Sequence, residues 1–230
     1  MTSFVEQGEE LIPEPGRIPW RPVSPWVVLA ALLFALFVVV GVYSERLYDA
    51  LDLKLFLGHI PFSTFQRHFY GALALRTALF YIPWIGALAT IWMAFASPRW
   101  SDRSLWSAAM IFTTAELSPF AQLLFSRHGP TGPEHPYPNP FVVTGLIAYG
   151  SWLLIVAKGA LSPLAKRVLG AVCVLVLLFT IAFPLIYGYI RLVDVIGSIL
   201  FAGACFSAGI FVAQICGVDL FRPDNVSAER

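Results

Sequence analysis

The sequence predicts an all-α integral membrane protein: a bundle of six transmembrane helices with an interfacial helical segment between the first and second helices. Of the 230 residues, 58% are hydrophobic and 13% are charged, about half the charged fraction of an average soluble domain. The mean hydropathy is +0.74, and several apolar runs are long enough to cross a bilayer. Lipid is therefore the expected solvent for most of the chain.

The chain divides into a polar N-terminal tail (1–24), a six-helix membrane domain (25–217) and a polar C-terminal tail (218–230). The N-terminal tail is acidic and rich in proline, and it lacks the basic start and short apolar core of a secretory signal. The first predicted span, Pro25–Tyr43, is about 19 residues without a charge, which suffices to cross a hydrocarbon core of about 30 Å. The other predicted spans cover residues 77–97, 104–125, 140–157, 168–189 and 195–216.

Residues 44–76, between the first two spans, mix charges with Leu, Phe and Tyr. This pattern predicts one or two short amphipathic helices lying in the membrane interface and broken near Pro61. A solvated connecting loop is the alternative.

The distribution of basic residues predicts the orientation. With six spans, nine of the 15 Lys and Arg residues lie on the side of the two termini and six lie on the opposite side. The positive-inside rule then places both termini in the cytoplasm. The net charge of +1 gives no reason to expect a nucleic-acid partner, whereas membrane lipids and protein subunits of a membrane complex are expected partners.

The outer loop after the third span, residues 126–141, contains five prolines, which predict a stiff, extended loop. It displays Arg127, His128, Glu134 and His135. These side chains suit an anionic head group or a metal, and a proline-rich connector with water-facing polar residues is the alternative.

No metal site and no cofactor are predicted. His128 and His135 are seven residues apart, which is not a recognised metal spacing, and no histidine lies within a predicted span, which argues against a bis-histidine haem. The three cysteines, Cys173, Cys205 and Cys216, lie in apolar runs without paired spacing and are expected to be small buried hydrophobes.

Three strongly polar residues fall within the predicted spans: Glu116, Gln122 and Gln214. A charge at the centre of a span is costly, so Glu116 is expected to face the bundle interior and either pair with a base or stay protonated. The two glutamines are expected to hydrogen-bond between helices. A proton or ion relay normally needs several such groups, so a structural role is the favoured interpretation and a small transporter ranks last.

Arg191 and Asp194 stand three residues apart before the last span. They could pair with each other, or Asp194 could cap the sixth helix. The run that follows, GSILFAGACFSAG, is rich in small residues, which favours close helix packing.

This organisation resembles the type 2 phosphatidic acid phosphatase superfamily of membrane lipid phosphatases, over about residues 26–216. The family's first motif, Lys-x6-Arg-Pro, falls on Phe125 and Gly132-Pro133. The second, Pro-Ser-Gly-His, falls on Pro138-Asn139-Pro140-Phe141, and the third, Ser-Arg-x5-His-x3-Asp, falls on Ile190-Arg191 and Asp194. The family's histidines and most of its cations are therefore replaced.

The resemblance implies a degenerate, non-hydrolysing relative, because phosphoryl transfer through a phosphohistidine needs a nucleophilic imidazole, a proton donor and several cations. The expected function is that of an accessory or scaffold subunit of a membrane complex, or of a lipid or isoprenoid-phosphate binder. Candidate head-group ligands are Arg127, His128, His135, Arg191 and Asp194. The alternative is a divergent active phosphatase or phosphotransferase that uses His128 or His135. The lack of a targeting signal, together with the layout of this family, predicts a bacterial inner membrane.

Overall fold

The protein, seen in a computed structural model, is helical throughout its described residues, 24–55, 81–96, 101–125, 137–159, 161–186 and 190–221. Six α-helices cover most of these ranges. They are α1 (Pro25–Leu55), α2 (Ile82–Ala96), α3 (Ser101–Leu124), α4 (Pro140–Lys158), α5 (Pro163–Ile186) and α6 (Leu192–Ile215).

Four of these helices are long and apolar enough to cross a membrane: α1 over Pro25–Ser44, α4, α5 over Pro163–Ala182, and α6. The predicted helical class is confirmed for the described residues, and these four helices are compatible with an integral membrane protein. Helix α2 is apolar but has only 15 residues, about 22 Å of helix against a hydrocarbon core of about 30 Å. Helix α3 is longer but contains Asp102, Arg103 and Glu116. The count of six spans stays a prediction.

Helix α1 is longer than the first predicted span. It continues from the apolar window through residues 45–55 without interruption, so the start of the predicted interfacial segment belongs to α1 and does not form a separate helix. This extension contains neither glycine nor proline and is made mostly of good helix formers. The rest of the predicted interfacial segment, including the expected break at Pro61, lies outside the described residues.

The termini of the membrane domain meet at one end of the bundle. The rings of Trp26, at the start of α1, and Phe221, after α6, stack with centroids 5.7 Å apart. We call this the tail end of the bundle. The opposite end, where α4 and α6 begin at Asn139 and Arg191, is called the loop end. Helices α1 and α6 are therefore antiparallel neighbours.

Helix α3 is held between α4 and α6 by polar contacts. The Trp106 indole N–H donates to the Gly209 carbonyl oxygen (3.0 Å), and the hydroxyls of Ser107 and Ser151 lie 2.7 Å apart. Nearer the tail end, Arg103 Nε donates to the Leu220 carbonyl oxygen (3.2 Å). Such contacts matter in hydrocarbon because lipid is as apolar as leucine, so helices associate through packing and interhelical hydrogen bonds.

An aromatic cluster of Phe37, Phe125, Tyr137 and Phe201 joins the helices near the loop end. Phe37 is fully buried; it stacks on Tyr137 with centroids 5.2 Å apart and meets the edge of Phe125 at 5.3 Å. Phe201 of α6 lies 5.0 Å from the Phe37 ring. The cluster thus joins α1, the end of α3, the approach to α4, and α6.

Two glycines make room for these rings. A Cβ atom at Gly197 would overlap the Tyr137 ring, and one at Gly41 would overlap the Phe125 ring. Since Tyr137 is held by its stacking partner and is almost fully buried, its ring has little freedom to move away.

We expect Gly197→Ala to lower the free energy of unfolding by about 1–3 kcal/mol, the usual cost of overfilling a packed site. Thermal unfolding of the full chain in mild detergent measures this. The matched control is Gly150→Ala in α4, whose added Cβ would meet only an ordinary contact, 3.7 Å from Phe206. An equal loss of stability in the two variants would contradict the prediction.

The cysteine prediction is correct in part. Cys173 and Cys205 are half-buried, but Cys216 is exposed, and all three are free thiols. The expectation of burial is wrong for Cys216, which is the C-terminal cap residue of α6 and leaves its side chain exposed at the tail end.

Candidate functional site

A group of polar side chains lies at the loop end, where α4 and α6 begin side by side. We call Gln122, Asn139, Asp194 and Ser198 the loop-end cluster. Asn139, Asp194 and Ser198 are buried, the last two completely. Buried polar groups are costly in an apolar surrounding unless they are hydrogen-bonded, so their partners decide what the cluster can do.

Asn139 caps the N-terminus of α4. Its backbone is extended (φ −75°, ψ 116°), and its side-chain oxygen accepts from the backbone N–H groups of Phe141 (3.1 Å) and Val142 (3.2 Å). Pro140 follows as the first helical residue. Asparagine at the cap and proline directly after it are both typical of helix starts, because the proline N–H is not needed there.

Ser198 links the start of α4 to α6. The Asn139 backbone N–H donates to the Ser198 hydroxyl oxygen (2.9 Å), and that hydroxyl donates to the carbonyl oxygen of Asp194 one turn earlier (2.6 Å). Because the serine satisfies a backbone group of another helix while also satisfying its own hydroxyl, it fixes the register of α4 against α6.

Asp194 caps α6. Its carboxylate accepts from the Arg191 backbone N–H (3.3 Å), as the capping alternative in the sequence predicts. A carboxylate in the first turn also interacts favourably with the positive end of the helix dipole. Arg191 itself is half-buried.

The segment that leads into α4 is attached to two further helices. The Gln122 amide of α3 donates to the Pro138 carbonyl oxygen (3.1 Å), and the Tyr137 hydroxyl donates to the Phe37 carbonyl oxygen of α1 (2.7 Å). Gln122 therefore bonds outside its own helix, but its partner lies in the segment ahead of α4 and not in another helix. Residues 137–139 therefore contact α1, α3 and α6 together.

Gln214 lies far from this cluster, at the tail end. Its side chain is exposed, and its oxygen accepts a hydrogen bond from the Ser24 hydroxyl (3.3 Å), which connects α6 to the residue before α1. This hydrogen bond helps to hold the two ends of the membrane domain together.

The expected orientation of Glu116 is wrong, because its side chain is exposed. The inward face of α3 is taken by a helical series of small residues, Ser107, Thr114, Ser118 and Ala121, which are buried. At about 100° per residue, position 116 lies on the opposite side of the helix from position 114.

Of the five head-group and catalytic candidates, two lie within the described residues and three do not. Arg191 and Asp194 lie at the loop end, as described. Arg127, His128 and His135 lie outside the described residues. The structure therefore brings Asp194 together with Asn139 and Ser198, two residues that the sequence did not single out as a site.

The sequence contains a signal for one of these two residues. An Asn-Pro pair before a long apolar run is a typical helix start, and it identifies Asn139 as a cap. Ser198 has no such signal, because its partner is 59 positions away in the sequence.

The chemistry available at the loop end is mainly that of helix capping and packing. The Asn139 and Asp194 side chains accept backbone N–H groups at the two helix starts, and the neighbouring space is filled by the aromatic cluster. Within the described ranges there is no group of three or more His, Cys, Asp or Glu residues placed to hold a metal ion.

Those positions aligned with the phosphatase motifs that fall within the described residues lie at this end of the bundle. Phe125 meets the edge of Tyr137 at 5.3 Å, while Phe141 starts α4 with an exposed ring. Comparisons of the chain with protein-family models, with curated proteins and with solved structures find no match.

We expect Asn139→Ala to reduce the stability of the protein by about 1 kcal/mol, the typical value of a helix cap. The amides of Phe141 and Val142 should exchange with deuterium faster, because they lose their acceptor. Hydrogen exchange followed by mass spectrometry measures this, and Asn139→Asp, which keeps an acceptor oxygen, is the control. Unchanged exchange in Asn139→Ala would show that the cap does not protect these amides.

Proposed function

We propose that this chain is a non-catalytic membrane protein, a degenerate relative of the type 2 phosphatidic acid phosphatases, and that it acts as an accessory or scaffold subunit of a membrane complex. Binding of a lipid or isoprenoid phosphate at the loop end is the narrower form of the same proposal. The observation that carries the proposal is which side chains occupy the loop end and what they bond to. The aromatic cluster includes Phe125, the position aligned with the family's first lysine, and the polar side chains there are hydrogen-bonded to the protein's own backbone.

The layout supports the resemblance. Phe125, Asn139, Phe141 and Asp194, which align with the three motifs, belong to elements that meet at one end of the bundle. A shared end is what the resemblance requires, since the motifs of a phosphoryl-transfer site must converge on one phosphate.

Six spans are part of this proposal. Helix α3 lies between α4 and α6, which are both of membrane-spanning length, so it would share their depth despite its charges. Helix α2 packs against α3, with the Trp84 and Phe112 rings 5.0 Å apart.

We further propose a bacterial inner membrane with both termini in the cytoplasm. Cys216 tests this orientation, because it is exposed at the tail end while Cys173 and Cys205 lie half-buried within helices. A membrane-impermeant maleimide should label the protein in inverted vesicles and not in intact spheroplasts. Cys216→Ser should abolish the labelling. Labelling of Cys216 from the outer side of spheroplasts would reverse the proposed orientation.

The absence of catalysis is tested by phosphate release. We expect the purified chain to release no phosphate from lysophosphatidate, phosphatidate or polyprenyl diphosphate in mixed micelles, because an imidazole nucleophile and its supporting cations are missing from the motif positions. An active family member assayed in the same micelles is the positive control. Release that disappears in His128→Ala or His135→Ala would establish the alternative, a divergent phosphatase.

The subunit role is tested by gentle purification from native membranes. A subunit should migrate with a defined set of other membrane proteins at constant stoichiometry. An independent lipid binder should migrate alone, with lipid phosphate retained by the wild type and reduced in Arg191→Ala. A chain that migrates alone without bound lipid would contradict both forms of the proposal.

A further inference from the structure

One face of α3 combines an acidic residue with large apolar side chains and points away from the bundle. We call it the Glu116 face and define it by its exposed residues: Thr113, Glu116, Leu117, Phe120, Leu123 and Leu124. Phe120 is 64% exposed and Leu123 is 71% exposed. These residues recur at three- and four-residue intervals, so they form one continuous stripe over the half of α3 nearer the loop end.

Glu116 lies well inside the helix, not at its end. It is eight residues from Leu124 and 15 residues from Ser101, or about 12 Å and about 22 Å along the helix axis. The contacts of Trp106 with α6 and of Ser107 with α4 fix α3 alongside two membrane-length helices. On the proposed six-span arrangement, Glu116 would therefore lie within the hydrocarbon layer and face outward.

The Glu116 carboxylate is a hydrogen-bond acceptor, and a proline three residues later removes a donor from the same part of the helix. Among the described residues the Glu116 carboxylate has no hydrogen-bond or ion-pair partner. Pro119 lies inside α3 and has no N–H to give to the carbonyl of Ala115, the residue next to Glu116. An acidic group facing lipid is unfavourable and typically marks a functional contact with a complementary group.

We propose that the Glu116 face binds a transmembrane helix of a partner protein, and that a Lys or Arg side chain of that helix pairs with Glu116. The inference rests on the proposed role as a subunit and names the surface and the chemistry of the partner.

Charge complementarity favours a basic partner helix over other occupants of this face. A second copy of the chain related by a two-fold axis at this face would bring two carboxylates together, and a lipid ammonium group would have to sink about 12 Å below the end of α3.

A photo-crosslinking experiment in native membranes tests the proposal. The full chain carries p-benzoylphenylalanine in place of Phe120, next to Glu116 on the same face. The matched probe replaces Leu178 on α5, which is 54% exposed and belongs to a helix without a charge near that position. Crosslinked peptides are identified by mass spectrometry.

The expected result is an adduct from position 120 to an apolar, membrane-spanning peptide that contains Lys or Arg. Its yield should fall at least about tenfold in Glu116→Leu and persist in Glu116→Asp, as expected when one member of a desolvated charge pair is removed. Replacing the partner's basic residue with Glu should restore the adduct in Glu116→Lys. Because Glu116 is exposed, the variants should fold, which size-exclusion chromatography in detergent verifies.

Several outcomes would overturn the inference. These are adducts to residues 56–80 of the same chain, adducts to a second copy, adducts to lipid alone, and an adduct whose yield does not depend on Glu116. An adduct confined to position 178 would leave the proposed subunit role intact and reject this surface. Migration of the chain without any protein partner, together with lipid-phosphate hydrolysis, would instead reject the proposed function itself.

Discussion

The arrangement of the loop end depends on the packing and hydrogen bonding of Tyr137. Its ring stacks on Phe37 of α1 and lies over Gly197 of α6, and its hydroxyl bonds to the α1 backbone. The next two residues bond to α3 and α6 through Pro138 and Asn139. Since apolar surface gains little by leaving one hydrocarbon environment for another, a membrane bundle relies on such close packing and on hydrogen bonds between its elements. One short segment ahead of α4 provides both.

Several polar residues of the interior hold helices together. Ser198 and Asp194 serve the starts of α4 and α6, while Ser107 and Ser151 join α3 to α4. An enzyme site usually keeps some polar groups available for a substrate, and stability and function compete for them. The proposed loss of catalysis fits the way in which the loop-end side chains are used up by the protein's own backbone. An aromatic side chain at position 125 also strengthens the packing that a lysine there would interrupt.

The helical class and the four membrane-length helices could be predicted from the sequence, since composition and run length determine whether a segment tolerates lipid. The cap formed by Asp194 could also be foreseen, because capping is local. The direction of Glu116 could not, since it depends on which neighbours α3 acquires and which of its faces they cover. The bond between Asn139 and Ser198 could not be predicted for the same reason. The length of α1 could not be predicted either, because helix propensity and hydropathy are separate properties and the helix continues beyond its apolar stretch.

Helix α5 differs from the others in how little of it is enclosed: 6% of its membrane window is buried, against 56% for α4. Its outward side chains contact few described neighbours, so exchanges among leucine, valine, isoleucine and phenylalanine there leave the packing intact. Over evolutionary time such a helix is free to drift in sequence and to adjust to the thickness of the surrounding bilayer, while α4 and α6 remain constrained. Among natural variants of this protein, sequence diversity should therefore concentrate on the fifth helix.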